Sequence, residues 1–190
     1  MTARAAAPMR RPLVPNGVMG MFLFVLTEVM LFLGMISAFS ITKASVLEGW
    51  PPLDQPRLPA GETALNTVAL LLSGVALYLA HRAYKKAPEK AKMPLLASIL
   101  LGSFFVIFQG MEWSALLAQG LTITSGPLGG FFYLIIGAHA LHAIAAILAL
   151  GWAYVKLLRG DLPKTSFWTV QVFWYFVVGI WPLLYVEVYL

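Results

Sequence analysis

Residues able to do chemistry are few in this chain. Its 190 residues include no cysteine and three histidines, His81, His139 and His142. Without thiols there are no iron–sulfur clusters, thiolate copper sites, disulfides or cysteine nucleophiles. His139 and His142 stand three apart, so on a helix they share one face. Glu28 interrupts an otherwise apolar run. It lies about 11 residues into that run, or roughly 16 Å along a helix. His139 lies about ten residues into another run, at a comparable depth. An intramembrane network of Glu28 with His139 or His142 is therefore expected, each side chain satisfying the other's polar atoms. Glu28 is either a carboxyl that handles protons or gates, or a protonated acid that hydrogen-bonds a neighbouring helix. A Glu with two His is also a metal-ligand set, but no further carboxylate or cysteine shares that depth, and no metal is expected. A bis-histidine haem needs histidines on facing helices. His81 closes another run at the opposite end, so no haem is expected either. Glu112 is expected at the outer interface as a solvated or hydrogen-bonded helix end, with His81 as a second helix-end polar group.

The elements that carry these residues follow from composition. The chain is 60% hydrophobic and 11% charged, where a soluble domain carries about 25% charged residues. A water-soluble enzyme is excluded. Between Glu112 and Lys156 there is no Lys, Arg, Asp or Glu. Five apolar segments stand out, at about 17–42, 63–81, 93–118, 127–156 and 165–190. Each is long enough to cross a hydrocarbon core of about 30 Å. None alternates as a barrel strand does. The expected fold is an all-α bundle of five transmembrane helices in a single domain. Residues 1–16 read as a cytoplasmic tail, since the following apolar run is too long for a secretory signal.

Basic residues alternate between the two sides. Arg4, Arg10 and Arg11, then Arg82, Lys85, Lys86, Lys90 and Lys92, then Lys156, Arg159 and Lys164 fall on one side, eleven of thirteen in all. Lys43 and Arg57 fall on the other. The positive-inside rule puts the N-terminus in the cytoplasm and the C-terminus outside. The net charge of +5 thus reports topology, and no nucleic-acid partner is expected. Arg82, Lys85 and Lys86 can also hold anionic lipid headgroups. The Pro-rich stretch 44–61 reads as an outer loop. Gly34 with Ala38, and Ala145 with Ala149 and Ala153, mark expected close helix contacts. Trp113, Trp152, Trp168 and Trp181 read as interface anchors or packing residues, and Pro182 as a kink.

Ordered motifs on all five spans give the chain a resemblance. Span one carries Thr27-Glu28-Val29, and the outer loop carries Trp50-Pro51-Pro52. Span two opens with Leu65-Asn66-Thr67, continues as LLLSG to Gly74, and closes at Ala80-His81. Span three ends FQGMEWSALLAQG, followed by Leu121-Thr122-Ile123-Thr124. Span four reads FFYLIIGAHALHAI. Together these resemble subunit III of haem-copper respiratory oxidases, in a short five-helix bacterial form. The last span departs from the family pattern, with Trp168 and Gln171 where a His and an Asp are usual.

The resemblance implies a non-catalytic accessory subunit of a proton-pumping terminal oxidase in the bacterial inner membrane. Haem and copper would sit in partner subunits, with none in this chain. Subunit I would be the main partner, with subunit II, further respiratory subunits and phospholipids alongside. Cytochrome c is favoured over quinol as electron donor. The competing expectation is an independent small transporter or proton channel using Glu28 and His139.

Overall fold

The computed structural model describes residues 15–45 and 56–190. It contains α1 (Asn16–Ser45), α2 (Ala60–Lys86), α3 (Lys92–Ala118), α4 (Pro127–Arg159) and α5 (Lys164–Tyr189), with a short 3-10 turn at Pro88–Ala91 between α2 and α3. There is no strand among the described residues. All five helices are long and apolar enough to cross a membrane, and the chain is a multi-pass helical membrane protein. The basic tail residues Arg4, Arg10 and Arg11 and the Trp50-Pro51-Pro52 motif lie outside the described residues. Each helix outruns its apolar core. Thus α2 continues past the expected end at residue 81 to carry Lys85 and Lys86 beyond the apolar stretch.

In a bilayer, burying a leucine gains little, because lipid tails are as apolar as the core. Close packing and interhelical hydrogen bonds must hold the bundle instead. The centre is α5, which packs against α1, α2 and α4. Two of its three indoles, Trp174 and Trp181, are fully buried. The ring of Trp174 fits because α3 has Gly102 there: a Cβ would lie 2.6 Å from the ring edge, and a rigid indole in a packed core cannot retreat. At the start of α4, Gly129 lets the preceding turn fold back, since a Cβ would lie 2.1 Å from the Thr122 carbonyl oxygen. Interhelical hydrogen bonds add pins. The Trp181 indole N–H donates to Thr67 Oγ1 at 2.8 Å, Tyr185 donates to the Ala60 carbonyl at 2.9 Å, and Tyr84 donates to the Leu162 carbonyl at 2.6 Å.

The outermost helix is α1, which packs on α5 and α4. It buries Phe32, Ile36 and Phe39 along one stripe and leaves Phe22, Leu23, Leu26, Met30 and Leu33 exposed. The expected helix contact at Gly34 and Ala38 is corrected here. Both residues face outward, and a Cβ on Gly34 would meet nothing within 4 Å. Spacing by four puts small residues on one face, but nothing in it says which face is covered. On α4, Ala153 is buried and Ala145 is exposed. Pro182 sits inside α5, which runs on to Tyr189.

Candidate functional site

The bundle holds two polar clusters. In the first, α1 brings Glu28 to α4, and Oε2 of Glu28 lies 3.1 Å from Nε2 of His142. The two side chains are 16% and 14% exposed. Nδ1 of His142 lies 2.7 Å from the Ala138 carbonyl one turn earlier. A carbonyl has no proton to give, so Nδ1 must be the protonated nitrogen and the donor. Nε2 then has two arrangements. Either it is bare and can accept from a protonated Glu28 carboxyl, or it carries that proton and faces a carboxylate. Both arrangements leave the pair neutral overall. The surroundings favour neutrality, because Phe24, Phe32, Phe173 and Phe176 place ring centroids 5.6–6.5 Å from the imidazole and a net charge among them is costly. Glu28 Oε2 has no aligned hydrogen-bond donor, so the 3.1 Å approach is a close contact of the two polar groups.

The sequence left His139 and His142 as equal candidates for this carboxyl, and the structure selects His142. Three residues advance a helix by about 300°, so the two rings point about 60° apart. That is enough to turn His139 away from Glu28 and toward α3 and α5, on the same broad face of α4. There it is 1% exposed and packs on Trp181 at 4.8 Å, Phe105 at 6.1 Å and Phe32 at 6.4 Å between ring centroids. Neither of its ring nitrogens has a hydrogen-bond partner. The pairing predicts an asymmetric double-mutant cycle. Glu28→Leu strands the His142 nitrogen and is expected to cost about 1–3 kcal/mol, while Glu28→Gln keeps a hydrogen-bonding group and costs less. Coupling with His142→Phe should be clear and coupling with His139→Phe near zero, read from detergent unfolding of the single and double variants. Equal coupling to both histidines would refute the assignment.

For Glu112 the sequence left a solvated or a hydrogen-bonded helix end, and the structure gives the second: the residue is 6% exposed and enclosed by α2, α3 and α5. Thr63 Oγ1 of α2 lies 3.0 Å from both carboxyl oxygens. Gln109 donates through Nε2 to Glu112 Oε2 at 2.7 Å and to the Tyr189 hydroxyl at 2.8 Å. Thr63 also reaches the Pro59 carbonyl at 3.0 Å. Sequence reasoning missed Thr63, Gln109 and Tyr189. The available signal was Gln109, three residues before Glu112 and so on the same helix face.

The remaining candidates lie at the opposite end. His81 and Lys85 line a groove of about 280 Å³ with Tyr84, Lys164, Phe167 and Trp168. Arg82 sits 5.9 Å from the Tyr78 ring centroid, and Lys86 is exposed. Of the two departures in the last span, Trp168 is 48% exposed while Gln171 is buried at 2%. Among the described residues no three His, Asp or Glu side chains converge as metal ligands would.

These positions fall within a single family pattern. The family model for cytochrome c oxidase subunit III matches residues 9–190, which takes in all five helices and both polar clusters. Over 188 residues the chain is 34% identical to the cytochrome c oxidase subunit 3 of Osphranter robustus, covering 94% of this chain and 71% of that one. The protein of the same name from Oncorhynchus clarkii is 34% identical over 179 residues, covering 90% and 67%. That of Neurospora crassa is 33% identical over 180 residues, covering 90% and 66%. With the match running through every helix and both clusters, the chain belongs to the cytochrome c oxidase subunit III family.

Proposed function

We propose that this chain is a non-catalytic accessory subunit of a proton-pumping haem-copper terminal oxidase, packed on subunit I and supporting its stability and proton uptake. The observation that carries the reading is the family match along the whole bundle. The local chemistry agrees with it. With no cysteine and three histidines, one of them held by Glu28 and the Ala138 carbonyl, the donor set does not fit a haem and a copper centre. Those groups belong to the partner subunits, subunit I above all, with subunit II and further respiratory subunits in the same assembly. An independent channel running from Glu28 to His139 loses its geometry, because Glu28 meets His142 instead. The test is affinity purification of the chain from native membranes with an optical spectrum of the eluate. Haem bands that co-elute with a larger subunit are expected. A monodisperse chain without haem would overturn the reading.

The same proposal places the chain in a bacterial inner membrane with the N-terminus cytoplasmic and the C-terminus outside. The α2–α3 and α4–α5 connections share one end of the bundle and carry Lys85, Lys86, Lys90, Lys92, Lys156, Arg159 and Lys164. Lys156 donates to Asp161 at 2.8 Å, which holds that exposed carboxyl below its ordinary range. Lys and Arg dominate orientation and Asp contributes little, so the pair does not weaken the inference. The groove formed by Lys85, Lys164 and Trp168 suits an anionic phospholipid headgroup at that interface. A single cysteine at exposed Lys90 should label only from the cytoplasmic face. Labelling from outside intact cells would reverse the topology.

A further inference from the structure

At the end of the bundle that carries most of the basic residues, the groove of about 280 Å³ opens between α2 and α5, lined by His81, Tyr84, Lys85, Lys164, Phe167 and Trp168. Its floor is fixed. Tyr84 donates to the Leu162 carbonyl at 2.6 Å, and its ring meets that of Phe167 roughly edge-on at 5.0 Å between centroids. Lys85 comes from α2 and Lys164 from α5, and both are exposed. A lysine carries its charge on a flexible four-carbon stem, so both ammonium groups can turn over the one groove.

These two charges have no carboxylate to answer them. Among the described residues only two acids lie at this end, Glu89 and Asp161, and each is held by another lysine, Lys92 and Lys156. Residues 1–14 contain no Asp or Glu, and Glu48 and Asp54 belong to the connection between the opposite ends of α1 and α2. Lys164 also opens α5, whose first turn has no acid and no capping side chain, and a cation at a helix N-terminus is unfavourable. Membrane orientation calls for basic residues at this end. It does not call for two of them, from different helices, on one aromatic groove.

Depth and lining select the source of the missing anion. Lys164 immediately precedes the apolar stretch of α5, and Lys85 lies one turn beyond that of α2, which is the level of the lipid headgroups. Trp168 is 48% exposed beside them, as suits an indole at that level. Toward the membrane interior the same two helices expose Val75, Tyr78 and Tyr175, a surface that acyl chains can cover. Free phosphate would use the lysines alone. We propose that the groove holds one anionic phospholipid, its phosphate shared by Lys85 and Lys164, so that lipid supplies the charge pairing between α2 and α5 that the chain itself lacks. This deepens the headgroup reading of the groove given above, and it rests on the proposed topology only for the leaflet from which the lipid comes.

Native mass spectrometry of the purified full chain in detergent, titrated with phosphatidylglycerol or with zwitterionic phosphatidylethanolamine, tests this. One phosphatidylglycerol is expected to bind ahead of any other lipid. Lys85→Gln and Lys164→Gln should each weaken it about five-fold, and the double variant about 25-fold, as expected for single basic residues facing an anionic headgroup. Lys86→Gln combined with Lys90→Gln removes the same charge from the same end and should leave binding nearly unchanged. Should the double variant at the groove fail to fold, the two single variants carry the test. Equal binding of the zwitterionic lipid, or an equal loss in the Lys86 and Lys90 control, would overturn the proposal. So would displacement of the lipid by millimolar inorganic phosphate, which would make a free anion the ligand. Zero-length crosslinking of Lys85 or Lys164 to a carboxylate of another subunit in the native oxidase would also overturn it, by giving the groove to protein. Binding in detergent does not depend on orientation, so labelling of Lys90 from outside would move the lipid to the other leaflet and leave this result standing.

Discussion

Glu112→Leu should loosen the bundle by about 1–3 kcal/mol, taking the two hydrogen bonds from Thr63 and Gln109 at roughly 0.6–1.7 kcal/mol each within a membrane. The carboxyl is the common partner of Thr63 on α2 and Gln109 on α3, and Gln109 carries the link on to Tyr189 of α5. Leucine removes the acceptor for Gln109 and leaves Thr63 with only the Pro59 carbonyl. Glu112→Gln should cost less than about 1 kcal/mol, since an isosteric amide keeps an acceptor for Gln109 and supplies a donor that Thr63 can accept. Detergent-titrated unfolding measures both values, and retention of the chain in its native assembly after mild heating gives a second reading. If leucine and glutamine behave alike, Glu112 is an ordinary interfacial residue and the network contributes nothing.

That network also shows where reading from sequence alone stops. The five spans were legible because each is apolar for longer than a bilayer is thick, and all five are helices in the structure. The pairing of Glu28 with a histidine of span four was legible too. The choice between His139 and His142 was not. Both lie on one broad face, and the angle between them is resolved only by what packs around it: four phenylalanines about His142, and Trp181 with Phe105 about His139. Whether Glu112 is solvated or hydrogen-bonded stayed open for a related reason. Counting residues along a helix gives depth, but lateral burial depends on which helices lie beside it. Gly34 and Ala38 make the same point in reverse, as a pattern of close packing on a face that this chain leaves uncovered. Intrachain order, with α5 at the centre and α1 outermost, has no signature in five runs of similar hydropathy.

Removing the whole chain from the oxidase should leave haem and copper in place while sustained turnover fails. Glu28 is taken up by His142, and Glu112 by Thr63 and Gln109, and among the described residues no three His, Asp or Glu side chains converge. Under the proposed packing on subunit I, lipid can replace the bundle on an apolar flank at little cost in the bilayer, so the catalytic subunit should stay folded and its first turnovers should run near the native rate. Lipid cannot reproduce a fixed set of neighbours at the proton entrance. The basic end formed by Lys85 and Lys86 of α2, Lys90 and Lys92 also leaves with the chain, and with it the charge that could attract anionic headgroups. Proton uptake should therefore slow most where protons are scarce, at neutral and higher pH, and the enzyme should inactivate as it works. Oxygen consumption followed over many turnovers, with haem quantified before and after, separates the outcomes. A depleted complex that has shed its haem would show that this chain helps hold the redox centre, against the accessory reading. A depleted complex that keeps its haem and runs at the native rate above pH 7 without decay would show that proton uptake does not depend on it.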